Sequence, residues 1–264
     1  MNQWLSLTRR ELSSYFSSFM GYFILLGFLF LGGLISWFCL MYYQKPTMRY
    51  FFDFASFLLI FLAPILTMRS FAEERRLRTL EMLMTTRILD AELVIAKFLG
   101  AWLFYVLLIL PSISYYWILS YYAPPDSGEV FSGYLGNLLL AAFYIAIGLF
   151  FSSLTQNQIV SALFGITTIF SLNLFSAFEQ RCFSMCEDVI LFLKSLFPSL
   201  WIELILNYSL MLVNTIIESI AIQNHIRTFY QGIFDTRELV YFLSLIVFFL
   251  FLTTKAVERQ RWKT

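Results

Sequence analysis

Between Arg69 and Gly100 the chain reads RSFAEERRLRTLEMLMTTRILDAELVIAKFLG, a charged stretch set between two long apolar runs. Arg69, Glu73, Glu74, Arg75, Arg76, Arg78, Glu81, Arg87, Asp90, Glu92 and Lys97 all fall within it. A charge at mid-bilayer costs about 2.5–3.5 kcal/mol, so sinking this many would cost roughly 20 kcal/mol or more. The stretch must stay in water while its flanks do not. Its pattern is helical, because Leu77, Leu80 and Met84 fall at i, i+3 and i+7 with Leu83 alongside, and charges take the rest of the circumference. Such a helix lies on a membrane surface, docks into a partner's groove, or is a solvated link between two spans.

The flanks decide the class. Hydrophobic residues make up 59% of the chain and charged ones 13%, against about 25% charged in soluble domains. With several apolar runs of about 20 residues, this is a membrane protein. The basic residues are few and interleaved with acids, which argues against nucleic acid as a partner. Cys39 lies in the first apolar run; Cys182 and Cys186 lie four apart in a later loop, with no C-x-x-C pair or Cys/His ligand set. Those two either stay as free thiols or pair across an oxidising compartment, although one helical turn is an awkward separation for a disulfide.

In chain order, residues 2–19 predict an interfacial helix, with Leu5, Leu12, Phe16 and Phe19 near one face and Arg9, Arg10 and Glu11 in the middle. The apolar run that follows is too long for a secretory signal, and no A-x-A cleavage site appears. Spans are expected at 21–43, 51–68, 98–122, 131–154, 159–178 and 239–254, with Pro64 and Pro111 inside the second and third. Residues 179–237 are mixed. Lys194, Pro198, Glu203 and Glu218 interrupt the apolar stretch 189–222, which favours short amphipathic or re-entrant helices over one additional span. Six spans put both termini on one side. The segments on the N-terminal side hold most of the Arg and Lys, so the positive-inside rule makes that side, with segment 69–97, cytoplasmic.

The charged stretch resembles the cytoplasmic segment of bacterial ABC-2 type permeases, in the group that includes gliding-motility and nitrous-oxide-reductase accessory permeases. Glu73, Glu74, Arg75, Arg76, Thr79, Glu81, Leu83 and Thr85 match that group's E-E-R-R-x-G-T-x-E-x-L-L-T-x-P pattern. Asp90 and Glu92 match its acidic pair, and Lys97, Phe98, Leu99 and Gly100 match its opening to the next span. Arg78 stands where the group has Gly, and Arg87 where it has Pro; both change the local turn geometry. The N-terminal R-E-L-S-S-Y-F-S-S and the lead into the last span resemble the same group.

The resemblance implies an all-α fold: a polytopic protein with six transmembrane helices, an N-terminal interfacial helix, a cytoplasmic coupling helix between spans 2 and 3, and short extracytoplasmic helices between spans 5 and 6. Residues 1–264 would form one ABC-2 type transmembrane domain in the bacterial inner membrane, with both termini cytoplasmic. It implies a permease subunit, an exporter by family default, paired with a second permease chain as a homo- or heterodimer. An ATP-binding subunit would dock on Glu73, Glu74, Arg75, Arg76, Arg78, Thr79, Glu81 and Leu83, and ATP and Mg would be bound there, with no cofactor or metal in this chain.

The chemistry that the sequence lacks agrees with this. There is no Walker A motif, no H-E-x-x-H and no G-x-S-x-G, and His225 is the only histidine. The spans hold few ionisable groups, whereas an ion-coupled carrier would need them near mid-membrane. Energy must enter from outside the chain. A membrane scaffold that recruits a cytoplasmic protein through the same helix is the alternative, and an intramembrane enzyme has no catalytic set to support it.

Overall fold

Polar breaks cut the apolar runs into helices, and the computed structural model describes residues 3–17, 19–43, 47–77, 89–122, 126–176 and 221–261. In chain order these are α1 (Gln3–Ser17), α2 (Phe19–Tyr43), α3 (Arg49–Thr67), α4 (Ala72–Arg76), α5 (Asp90–Ile109), a 3-10 turn at Leu110–Ser112, α6 (Ile113–Tyr122), α7 (Ser127–Leu154), α8 (Gln158–Ser176), α9 (Ile222–Tyr230) and α10 (Thr236–Arg261). No strand occurs among the described residues. Six stretches are long and apolar enough to cross a membrane: Gly21–Tyr42, Arg49–Arg76, Asp90–Tyr121, Ser127–Leu154, Gln158–Ser176 and Thr236–Arg259. The chain is a multi-pass membrane protein, all-helical and with six candidate spans among the described residues.

The chain divides into two compact units, Met1–Thr167 with Thr228–Thr264, and Thr168–Arg227. The smaller unit contains the end of α8 and the start of α9. Cys182, Cys186 and nearly all of 189–222 lie outside the described residues. In the larger unit α7 is the axis. Every residue from Leu140 to Leu149 is buried, as expected of a helix that is apolar all round. α3, α5 and α10 pack along it. Small residues allow the approach: a Cβ on Gly148 would sit 2.1 Å from Thr67 Oγ1, and one on Gly165 of α8 would sit 3.0 Å from the Pro64 ring of α3. Pro111 falls in the 3-10 turn, where its missing N–H breaks the α-helical ladder between α5 and α6. By contrast α2 leaves Phe23, Leu26, Phe30, Trp37 and Phe38 exposed, an apolar surface suited to lipid or to another chain.

The core of this unit is also stitched by hydrogen bonds. Asn137 of α7 is fully buried. Its amide donates to the Tyr230 hydroxyl at 3.2 Å and to Ser56 Oγ and the Phe52 carbonyl of α3, both at 3.4 Å. The Tyr105 hydroxyl of α5 donates to Asn137 Oδ1, and the hydroxyls of Ser56 and Tyr230 bond each other. Four segments thus meet at one buried amide, where losing a partner leaves a polar group unsatisfied. Asn137→Ala strands the Tyr105 hydroxyl and should destabilise the bundle by about 1–3 kcal/mol. A lowered thermal midpoint in detergent checks this, and Ser56→Ala, which leaves more of the network intact, should cost less.

Candidate functional site

The charged stretch begins where α3 ends, and the last carbonyls of a helix need outside partners. Tyr15 of α1 supplies one, its hydroxyl donating to the Leu66 carbonyl at 3.0 Å. Burial pushes the Tyr15 phenol well above its ordinary pKa, so it stays protonated as a donor. The chain then turns through Met68–Phe71 into α4. The amide N–H groups of Phe71 and Ala72 at the start of α4 both donate to Ser152 Oγ of α7, at 3.1 and 3.2 Å. At the other end of α4, the Arg75 guanidinium donates to the Ser153 carbonyl at 2.8 Å, a cation on the C-terminal turn of α7. α4 is therefore fastened to the end of the central helix at both of its own ends.

The acidic pair acts at the start of α5. Glu92 is the third residue of the helix, and its Oε2 accepts from the Leu89 N–H at 3.3 Å, half of a capping box. Asp90 and Glu92 also place negative charge at the positive end of the helix dipole. Two turns on, Lys97 is only 2% exposed. Its ammonium donates to Glu74 Oε1 of α4 at 2.7 Å and to Glu11 Oε1 of α1 at 2.9 Å, and stands 5.2 Å from the centre of the Phe71 ring. Arg10 adds a favourable charge beside Glu74. One lysine thus joins three helices.

Gly100 completes this joint, three residues beyond Lys97 on the same face of α5. A Cβ there would sit 2.7 Å from the Glu11 Cβ. Only a residue without a side chain lets α1 close on α5 while Lys97 reaches both acids. One turn further, the Phe104 ring stacks on Tyr15 at 4.9 Å and meets Phe16 at 5.3 Å. The docked face of α1 is therefore Thr8, Glu11 and Tyr15, with Phe16 beside it. The apolar stripe read in the sequence, Leu5, Leu12, Phe16 and Phe19, is a different set. Leu5 is 51% exposed, and Phe19, 83% exposed, opens α2 instead of closing α1. The physical reason is that an interfacial helix turns its most apolar side to lipid and its polar side to a polar partner.

Of the expected docking residues, Glu73 is half-buried, Arg76 is exposed, Glu74 is held by Lys97 and Arg75 by Ser153. Arg78, Thr79, Glu81 and Leu83 lie outside the described residues. The sequence reading missed the partnership of Glu11 with Lys97, and the anchor at Ser152. No metal-binding cluster of His, Cys, Asp or Glu occurs among the described residues.

Residues 33–260 match the family described as ABC-2 family transporter protein. The chain belongs to that family. It is the membrane component of an ABC-2 transporter, a type of subunit without ATPase activity, and the family implies association with an ATP-binding subunit. The match takes in Glu74, Lys97 and Gly100 of this ABC-2 chain, while α1 and Glu11 precede it. Among curated proteins, none matches the chain significantly.

Lys97→Met leaves two carboxylates facing each other without a cation. Breaking such a pair costs about 3 kcal/mol, which should release α1 and speed exchange of its backbone amides about a hundredfold. Hydrogen exchange read by mass spectrometry checks this, with the α7 amides expected to stay protected.

Proposed function

We propose that this chain is the permease subunit of an ABC exporter whose ATP-binding subunit docks on the segment from α4 to residue 88. The single observation that carries the reading is the Lys97 joint. A push on α4 is delivered at once to α5 through Lys97, to α1 through Glu11 and to α7 through Ser152 and Arg75. These contacts turn a local displacement into a rigid-body movement of spans, the kind of input that alternating access requires.

On this reading the charged end is cytoplasmic by the positive-inside rule, and both termini lie on that side of a bacterial inner membrane. Arg76 faces the partner together with Arg78, Thr79, Glu81 and Leu83, while Glu73, half-buried, turns to the cavity beside the joint. Glu74 and Arg75 act differently, as positioning residues that hold the docking helix on the bundle. Two permease chains, identical or different, complete the pathway, and the exposed aromatic face of α2 is a surface available for the second. The E-E-R-R motif, the acidic pair and K-F-L-G support placing the chain near the gliding-motility and nitrous-oxide-reductase accessory permeases.

Arg76→Glu should leave insertion and the purified fold intact while reducing co-purification of the ATP-binding subunit by tenfold or more. Glu74→Lys should retain the partner but separate ATP hydrolysis from transport. A cysteine at Thr79 should react with impermeant reagents only from the cytoplasmic side. Labelling from the opposite side, or a co-purifying partner without a nucleotide-binding motif, would overturn the reading.

A further inference from the structure

A cavity of about 300 Å³ lies beside the Lys97 joint, among α1, the start of α2, the end of α3 and α4. Its walls differ. Ile24 of α2 and Ile65 of α3, both half-exposed on helices that cross the membrane, make an apolar side. Arg10, Arg69 and Glu73 line the cavity as well, together with the joint itself. Glu11, Glu74 and Lys97 sum to one negative charge. Arg10, Arg69 and Glu73 sum to one positive charge, so the lining is neutral while holding both signs. Among the described residues, none of Arg10, Arg69 and Glu73 has a side-chain hydrogen bond or ion pair. Two guanidiniums and one carboxylate line the cavity near the ends of candidate spans Gly21–Tyr42 and Arg49–Arg76.

We propose that this cavity binds the headgroup of a membrane phospholipid of the phosphatidylethanolamine class. Arg10 and Arg69 present fork-shaped donors to the phosphodiester. Glu73 accepts from the primary ammonium. Ile24 and Ile65 line the start of the acyl chains, which leave along the lipid-facing surface between α2 and α3. The charge pattern selects among lipids. Phosphatidylglycerol would satisfy the guanidiniums with the same phosphodiester but has no ammonium for Glu73, so its negative charge stays uncompensated beside Glu11, Glu73 and Glu74. A choline headgroup would offer Glu73 no N–H. Neither the site nor its ligand depends on the chain's place in a transporter, because the argument uses only the cavity and the membrane boundary.

The full-length chain, extracted from nanodiscs holding equal parts of phosphatidylethanolamine, phosphatidylglycerol and phosphatidylcholine, should keep one phosphatidylethanolamine per chain in native mass spectrometry. Arg10→Gln with Arg69→Gln should reduce that adduct at least fivefold. Glu73→Gln should abolish the preference over phosphatidylglycerol while keeping phospholipid bound. As a measurement that needs no variant, glycerophosphoethanolamine at millimolar concentration should not displace the lipid, whose acyl chains contribute to binding. The proposal is overturned by a wild-type preference for phosphatidylglycerol, by equal adducts on the wild type and the double variant with matched thermal midpoints, or by displacement with the soluble headgroup.

Discussion

A lysine ammonium that is nearly sealed from water sits between two carboxylates from different helices, and the geometry at this end of the molecule follows from that fact. A buried cation is costly by itself, and so are two facing acids; together they satisfy one another only if α1, α4 and α5 hold their present positions. The hydrophobic packing around them is permissive, because apolar faces slide with little penalty. The ammonium is not, since moving either carboxylate by an ångström or two exposes an unpaired charge. Lys97 therefore specifies how the amphipathic N-terminal helix meets the bundle, with Gly100 removing the steric barrier to that arrangement.

The same economy governs helix ends. Terminal N–H and C=O groups need partners, and near the joint several of those partners come from another element. Tyr15 covers a carbonyl at the end of α3, Ser152 takes two N–H groups at the start of α4, and Arg75 meets the end of α7. What would be solvated frayed ends becomes a set of cross-links between segments distant in sequence. Farther along the bundle, Asn137 repeats the logic with one amide that ties α3, α5, α7 and Tyr230. A short helix such as α4, held at both ends on a central helix whose middle is buried, moves with it or not at all, which is the mechanical property the transport reading requires.

Much of this was legible in the chain. Apolar length gave six candidate spans among the described residues. The acidic pair and K-F-L-G were visible as a pattern, and they acquire a reason in the structure: Glu92 caps α5, Lys97 bridges, and Gly100 admits α1. Pairings across long separations were not legible. Nothing in the local pattern of Glu11 distinguishes it from a solvated charge, and Ser152, Tyr105 and Asn137 read as isolated polar residues in apolar runs. Periodicity found the apolar stripe of α1 but does not say that its other side, through Glu11, meets protein.

The central claim is that charge complementarity between α1 and Lys97, not apolar packing alone, fixes the N-terminal helix on the bundle. Moving the cation to the other helix tests it. Hydrogen exchange of the α1 amides would be compared in Glu11→Lys, in Lys97→Glu and in the two combined, which keeps two acids and one base at the joint. The joint predicts fast exchange in each single variant and protection restored toward wild type in the pair. A double variant as exposed as Lys97→Glu alone would contradict it.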